Sequence, residues 1–159
     1  MARRTLLLAL MAELPVARGI GVDISEAALG VARANAEDLA LGGRTAFLCG
    51  DWAEAVAGVF DIVVSNPPYI AAAEIETLQP EVRDFDPRMA LDGGADGLDF
   101  YRRLAKEAAP FLKPDGKIMV EFGDGQAEGI RKIFEAEKWI VEAVREDYSH
   151  RARILVTRI

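Results

Sequence analysis

In some segments the apolar residues recur at every second position or form short continuous runs, and in others at every third or fourth position. The first pattern is typical of strands and the second of helices, so the sequence predicts strands that alternate with helices. The predicted strands cover 18–24, 44–49, 60–65, 117–121, 139–146 and 151–158. The predicted helices cover 5–14, 25–41, 98–112 and 126–137, with a looped stretch at 70–97 that holds a helical turn at 74–78, and a turn at 113–116. Such an order favours an α/β fold with a mostly parallel sheet, and with an antiparallel C-terminal hairpin at its edge.

The first residues superficially resemble a signal peptide, because Arg3 and Arg4 precede an apolar run. Glu13 follows that run at once, and Pro15 cannot continue a helix. We therefore interpret 5–14 as an amphipathic or buried helix. No stretch of the sequence is long and apolar enough to predict a membrane span.

The composition narrows the class of protein. The chain has 159 residues, enough for one domain with a buried core, and 51% of them are hydrophobic. A formal charge of -7 argues against unspecific binding to a nucleic-acid backbone, although it does not exclude a local basic face. We expect the lone Cys49 to be a small buried residue in a reducing compartment, which favours the cytoplasm. His150 is interpreted as an exposed turn residue, and no spacing of possible ligands predicts a metal site.

The run Asn66-Pro67-Pro68-Tyr69 directly follows the apolar segment at 60–65, which we interpret as a buried parallel strand. Open α/β sheets bind their ligands at the carboxyl ends of such strands. The Asn66 side-chain oxygen and the Pro67 carbonyl can accept the hydrogens of a planar amino group, while Tyr69 packs near its face. The alternative is that the prolines only end the strand and form a turn.

Two further acids follow predicted strands. Asp23 precedes a helix, and a carboxylate there can accept both hydroxyls of a ribose, although it can equally cap the helix at Ser25. Asp51 can accept from an adenine amino group, and Trp52 offers a flat wall for a base. The alternative for this pair is a loop acid beside a half-buried tryptophan. If all three positions line one crevice, their joint occurrence favours a nucleotide-containing cofactor.

These residues resemble a family of S-adenosylmethionine-dependent enzymes that methylate a glutamine side-chain amide in peptide chain release factors. The likeness runs over nearly all of the chain from Leu6 onward. It rests on NPPYI at 66–70, DPRMALDGGADGLDFYR at 86–102, LKPDG at 112–116 and EFGDGQ at 121–126. The segment at 90–102 is the specific part, because Asn-Pro-Pro-Tyr also occurs in DNA adenine-N6 methyltransferases.

The resemblance implies a class I, Rossmann-like methyltransferase fold with S-adenosyl-L-methionine as cofactor. It implies that Asp23, Asp51, Trp52 and Asn66 bind the cofactor. It assigns the glutamine substrate to Asn66, Pro67, Pro68 and Tyr69, with Asn66, Pro67 and Tyr69 as the catalytic residues. It also implies a cytoplasmic enzyme with a release factor as its protein partner, and no direct binding of nucleic acid or membrane.

The chain departs from that family at its start. It lacks the first strand, the glycine-rich loop after it and the helical N-terminal substrate domain, so we expect 1–159 to be a single truncated catalytic domain. The neighbours of the absent strand, 20–24 and 62–65, are then expected either to pair directly or to be covered in a homodimer. Two functional alternatives remain open here: an adenine-N6 methyltransferase of DNA or RNA, and an inactive methyltransferase fragment.

Overall fold

The computed structural model describes residues 5–79 and 88–159. Two parts of the sequence discussed above lie outside these ranges. They are the basic residues at 3–4 and the part of the predicted loop at 80–87, which includes the first two residues of the family-like stretch at 86–102. The chain forms two compact units, which meet in sequence between Ala57 and Gly58. The single catalytic domain expected over 1–159 stays a prediction, and each unit is described by itself.

The first unit is built on two parallel strands. Its elements are α1 (Leu6–Glu13), β1 (Gly19–Asp23), α2 (Glu26–Asp38), β2 (Thr45–Cys49) and α3 (Trp52–Ala55). β1 pairs with β2 in parallel, from Gly19 opposite Thr45 to Asp23 opposite Cys49. Buried side chains of α1 and α2, with Leu41, form its core together with the partly buried Phe47.

The starts of α1 and α2 are set by side-chain caps. Thr5 Oγ1 accepts a hydrogen bond from the backbone N–H of Leu8 at 3.4 Å, and Ser25 Oγ accepts one from Ala28 at 3.2 Å. These bonds satisfy amides that have no partner within the first turn of a helix. The cap predicted at Ser25 is therefore confirmed, and α1 shows that the apolar start of the chain forms a helix.

The end of α1 is held by a single guanidinium group. Arg44 donates to the carbonyl oxygens of Met11 at 2.8 Å, Leu14 at 2.9 Å and Ala17 at 3.0 Å. The last carbonyls of a helix lack partners within the helix, and the fork of an arginine can satisfy several of them at once. Arg44 thus fixes α1 to the chain that enters β2.

The second unit contains a four-stranded mixed sheet. Its elements are β3 (Phe60–Ser65), α4 (Ala72–Ile75), α5 (Asp99–Glu107), β4 (Leu112–Glu121), α6 (Ala127–Ala136), β5 (Ile140–Glu146) and β6 (Ala152–Arg158). The strand order is β3-β4-β6-β5, with β3 parallel to β4 and with β6 antiparallel to both neighbours. The predicted hairpin is confirmed, but its antiparallel strand lies inside the sheet and not at the edge. β5 occupies the edge because the chain turns back and inserts β6 beside β4.

The core of this unit is a layer of fully buried side chains between the sheet and the helices α5 and α6. Its largest members are Tyr101, Leu104, Ile118, Val120, Phe122, Ile130, Phe134 and Leu155. Trp139 closes the layer, because its Nε1 donates to the Ala105 carbonyl at 2.7 Å and its ring meets Phe134 edge-on at 5.7 Å. A buried indole N–H usually finds a hydrogen-bond partner, and α5 supplies it here.

Two predictions between 98 and 121 need correction. The helix ends at Glu107, earlier than expected, because Pro110 lacks an N–H and forces a short 3-10 turn before β4. The turn predicted at 113–116 lies inside β4 as an irregularity. The ladder steps from Phe60 opposite Leu112 to Ile62 opposite Lys117, so the intervening residues of β4 leave the pairing.

Expected burial is also wrong at two places. β3 is the edge strand of its sheet in the described chain, and Ile62 on this strand is 48% exposed. β1 and β3 belong to the sheets of different units, so the direct pairing considered from the sequence stays a prediction. Cys49 is exposed, not buried. The interpretation of His150 is confirmed, since it is exposed in the turn between β5 and β6 with φ at 59°.

Candidate functional site

Asp23, at the end of β1, uses one carboxylate oxygen to shape the entry of α2. Its Oδ1 accepts a hydrogen bond from the backbone N–H of Ser25 at 2.8 Å. The residue is exposed, and within the described residues its Oδ2 accepts no hydrogen bond. The structure therefore supports the capping interpretation without excluding the other one, because a free carboxylate oxygen remains for a ribose hydroxyl.

Asp51 and Trp52 begin the short helix α3 at the same end of the two-stranded sheet. The backbone N–H of Gly50 donates to the Asp23 carbonyl at 3.0 Å, so the two predicted cofactor acids follow directly on paired strand ends. Asp51 Oδ1 accepts from the N–H of Ala53 at 3.4 Å, and the Trp52 side chain is half-buried. The first unit thus places Asp23 beside the residues that lead into Asp51 and Trp52, and a crevice shared with Asn66 stays a prediction.

The exposed thiol at this sheet end is not set up as a nucleophile. Cys49 Sγ lies 3.6 Å from the Ile24 carbonyl oxygen. Partial desolvation of the group, followed by its hydrogen bond with Glu26, raises the pKa of the Cys49 thiol. The thiolate is the reactive form of cysteine, so a raised pKa lowers its reactivity at neutral pH. Glu26 stays ionised, since its hydrogen bond with Arg33 lowers the carboxyl pKa.

In the second unit, Asn66 leaves the end of β3 with an exposed side chain. It makes no hydrogen bond to any described residue, so its amide oxygen and its NH2 group are open to a ligand. Pro67 behind it is buried, while Pro68 and Tyr69 are half-buried. An exposed amide without a partner among the described residues is available to a ligand.

A glycine-rich segment holds this loop by its backbone. Ile70 donates to the Leu91 carbonyl at 3.1 Å and accepts from Gly93 at 2.8 Å. A β-carbon at Gly93 would lie 2.9 Å from the Pro68 carbonyl oxygen, and one at Gly97 would overlap the Tyr69 carbonyl oxygen. Any larger residue at these two positions would therefore push on the loop that carries Asn66.

The sequence did not predict that Gln126 contacts Tyr69. Its Nε2 donates to the Tyr69 carbonyl at 2.8 Å, and its Oε1 accepts from the Gly123 N–H at 2.9 Å. A β-carbon at Gly123 would lie 2.9 Å from the Tyr69 ring, so ring and backbone are in close contact. The similar stretch at 121–126 contains both residues, but no local pattern assigns either of them a partner 57 positions away.

Tyr101 holds the end of β4, just before the segment that contains Gly123 and Gln126. Its phenol donates to the Glu121 carbonyl at 2.7 Å, and the side chain is fully buried on α5. Burial, with the nearby Tyr69 and Glu121 as lesser causes, raises the pKa of Tyr101 well above its ordinary value. The group therefore acts as a permanent donor at physiological pH and fixes the end of β4 just before Gly123.

A surface pocket of about 380 Å³ adjoins the outer face of Pro68. Its lining consists of Pro68, Asp92, Gly93, Gly94, Asp99, Phe100 and Arg103. The proline and phenylalanine rings give it apolar walls, and two carboxylates and a guanidinium supply polar groups.

The described residues contain no group of three or more His, Cys, Asp or Glu side chains placed to hold a metal ion. No helix in the described ranges is both long and apolar enough to cross a lipid bilayer. The chemistry available at the loop is hydrogen bonding from Asn66 and the backbone, together with contact from the Tyr69 ring.

Comparison with known proteins assigns a class to this fold. The model of a methyltransferase domain matches residues 3–153. A methyltransferase from Pyrococcus furiosus superposes with a TM-score of 0.70 at 21% identity, over 96% of this chain and 68% of that structure. A ribosomal protein L11 methylase from Lactobacillus delbrueckii subsp. bulgaricus gives a TM-score of 0.60 at 20% identity, over 96% of this chain and 63% of that one.

The predicted fold class is thereby confirmed: the architecture is that of class I methyltransferases, whose cofactor is S-adenosyl-L-methionine. The chain belongs to the methyltransferase-domain family.

Curated relatives are more similar in sequence than these structures. The release factor glutamine methyltransferase of Rhodospirillum rubrum is 50% identical over 153 residues, which cover 96% of this chain and 47% of that protein. The protein of that name from Caulobacter vibrioides is 52% identical over 133 residues, or 83% of this chain and 46% of the relative. The chain therefore spans about half the length of the curated relatives it matches.

Proposed function

We propose that the chain carries the catalytic domain of an S-adenosylmethionine-dependent methyltransferase, which methylates the side-chain amide nitrogen of a glutamine in peptide chain release factors. The carrying observation is the open Asn66 amide at the end of β3, on a loop otherwise fixed by close backbone contacts. The names of relatives that are 50% and 52% identical support the choice of substrate.

Asp23, Asp51, Trp52 and Asn66 are proposed to bind the cofactor. The free Oδ2 of Asp23 suits a ribose hydroxyl, and the half-buried Trp52 indole suits contact with adenine. When bound, S-adenosylmethionine supplies an electrophilic methyl group.

The proposed substrate residues act by orienting the amide. An amide nitrogen is a poor nucleophile, because its lone pair is delocalised into the carbonyl. The Asn66 side-chain oxygen and the Pro67 carbonyl accept its two N–H groups, which increases electron density on nitrogen as positive charge develops. Pro68 and Tyr69 complete the pocket for the glutamine side chain. Alignment of this kind supplies roughly 7–11 kcal/mol in well-ordered sites.

The methylated amide nitrogen is strongly acidic and loses its surplus proton to solvent, so this scheme requires no strong general base, and the chain's only histidine does not provide one. His150 lies in the exposed turn between β5 and β6. Catalysis is instead proposed to depend on hydrogen-bond acceptors of Asn66 and Pro67. We also propose that the enzyme works in the cytoplasm, since its release-factor substrates act there during translation.

Two measurements test this function. Titration with S-adenosylhomocysteine by calorimetry is expected to give micromolar binding, worth about 8 kcal/mol. Incubation with radiolabelled S-adenosylmethionine and a release factor is expected to label the protein, but not a variant in which the target glutamine is alanine. Adenine-containing DNA serves as a second acceptor. Label on DNA alone would favour the adenine-N6 alternative, and no binding of S-adenosylhomocysteine would favour an inactive fragment.

A further inference from the structure

We propose that Gln126 is a positioning residue for methyl transfer, which sets the Asn-Pro-Pro-Tyr loop by holding the Tyr69 carbonyl. This inference rests on the proposed function, because it assigns the loop to the substrate amide. Gln126 makes no part of that pocket itself and acts through Tyr69.

The orientation of the Gln126 amide is determined by its neighbours. Its Nε2 faces two carbonyl oxygens, those of Tyr69 at 2.8 Å and of Gly97 at 3.5 Å. Its Oε1 faces the N–H of Gly123 at 2.9 Å. Only an NH2 group can donate to the carbonyls and only the oxygen can accept from the amide, so a flipped side chain would lose every one of these contacts.

Gln126 joins three segments that are far apart in the chain. Its partners lie 57 positions away at Tyr69, 29 at Gly97 and three at Gly123. The residue itself is held at the start of α6, where its carbonyl accepts from Ile130 at 3.0 Å. The side chain thus reaches the loop from a regular helix, which is a firmer support than another loop would give.

The space around Tyr69 leaves no slack for a displaced carbonyl. A β-carbon at Gly123 would lie 2.9 Å from the ring on one side. A β-carbon at Gly97 would overlap the carbonyl oxygen and lie 2.7 Å from Gln126 Nε2. Because the surroundings are tight, the Tyr69 carbonyl cannot turn away by itself from a group that repels it. Inverting the Gln126 hydrogen bond must therefore move the whole peptide that carries Tyr69.

The sharpest variant is Gln126→Glu, which has the same size and keeps an oxygen for the Gly123 N–H. It replaces the donor by a carboxylate oxygen directed at the Tyr69 carbonyl, and two acceptors repel one another. The chain offers a matched control in Gln79→Glu, since Gln79 is the other glutamine and is exposed. The control adds the same charge without touching the loop.

The first readout observes the carbonyl directly in the free protein. Tyr69-Ile70 is the one Tyr-Ile pair in the sequence. Labelling tyrosine carbonyls with carbon-13 and isoleucine nitrogens with nitrogen-15 therefore gives one correlated NMR signal, at the peptide bond that Gln126 is proposed to hold. We expect Gln126→Glu to shift this signal and Gln79→Glu to leave it in place. An unmoved signal in Gln126→Glu would overturn the inference.

The second readout is transfer to a release factor. Gln126→Glu is expected to lower kcat about tenfold or more at neutral pH, with S-adenosylhomocysteine affinity within about twofold of the unaltered chain. The introduced carboxyl can donate to the Tyr69 carbonyl once it is protonated, so kcat should recover as the pH falls from about 7 toward about 5. A parallel loss of affinity and kcat with no recovery in acid would indicate a merely structural role and overturn the inference.

The two readouts separate failure of this inference from failure of the proposed function. If the unaltered chain transfers no methyl group, the proposed function fails, and the NMR signal alone decides whether Gln126 positions Tyr69. If the unaltered chain is active and Gln126→Glu shifts the signal without changing kcat, the positioning role in transfer is overturned while the function stands.

Discussion

At the scale of single residues, Asn66 differs from everything that surrounds it. The loop around it is fixed by backbone hydrogen bonds to Leu91 and Gly93 and by the Gln126 amide, whereas its own side chain has no hydrogen-bond partner in the described chain. An exposed amide of this kind is available to a ligand. We propose that this one side chain carries the function of the loop.

Replacing Asn66 by alanine is expected to reduce methyl transfer roughly 10²–10³-fold, as loss of one preorganised hydrogen-bonding group does elsewhere. Affinity for S-adenosylhomocysteine should fall much less, because most of the proposed cofactor contacts come from other residues. Asn66→Asp keeps an acceptor oxygen and should retain more transfer than Asn66→Ala. Calorimetry and single-turnover kinetics measure both quantities. An unchanged rate in Asn66→Ala would remove the assigned role.

Gly97 and Gly125 allow the cost of backbone strain to be measured separately from the cost of steric crowding, because their φ values are similar and only Gly97 is crowded. Gly97 and Gly125 have φ of 76° and 78°, which costs an alanine about 1–2 kcal/mol. No atom lies within 4 Å of a β-carbon at Gly125, while one at Gly97 would overlap the Tyr69 carbonyl. We expect Gly97→Ala to cost a further ~1–3 kcal/mol in unfolding free energy, measured with urea. Equal losses for the two variants would contradict the tight contact described here.

At the scale of elements, local signals predict where helices and strands begin better than they predict how the elements meet. Ser25 caps α2 as expected, and β3 runs from Phe60 to Ser65 as expected, because caps and apolar runs act within a few residues. The position of β6 between β4 and β5, and the bond from Gln126 to Tyr69, depend on residues distant in sequence. No periodicity records such a partner, so both were missed.

The entry of α5 carries an acid-sensitive contact. Hydrogen bonds from Arg102 lower the pKa of Asp96 to about 2, helped by the backbone N–H of Leu98. A folded-state pKa below the unfolded value of about 3.9 stabilises the fold above that pH, and this stabilisation disappears as the pH falls toward about 2. NMR titration of the aspartate carboxyl carbons should find the low midpoint.

Arg102→Gln is expected to return the pKa of Asp96 toward its ordinary value, because the main donor is lost. Arg103→Gln is the matched control, because it removes the same charge from the neighbouring residue. The Arg103 Nε pairs with Glu107, so this variant leaves the bonds between Arg102 and Asp96 in place. A midpoint that stays low in Arg102→Gln would mean that the backbone N–H of Leu98 alone sets the acidity of Asp96.

At the scale of the whole molecule, β3 presents an open strand edge. Only β4 pairs with it in the described chain, and Ile62 is 48% exposed. Unpaired apolar edges attract further strands. We propose that a second copy covers this edge, and light scattering should find dimers whose fraction rises with concentration.

Ile62→Lys should abolish that dimer, because a charge on an edge strand opposes pairing. Val59→Lys adds the same charge at a side chain 55% exposed just before the strand, and it should leave the dimer intact. A monomer at every concentration of the unaltered chain would exclude this mode of association.

The position of β6 between β4 and β5 determines the order in which the strands can pair during synthesis. A ribosome releases β5 before β6, yet β5 reaches the sheet only through its ladder with β6. β3 and β4 can pair as soon as both have emerged, whereas β5 waits beside them with no strand to join. A translational pause that exposes β5 while β6 is still inside the ribosome would therefore leave β5 without its partner strand.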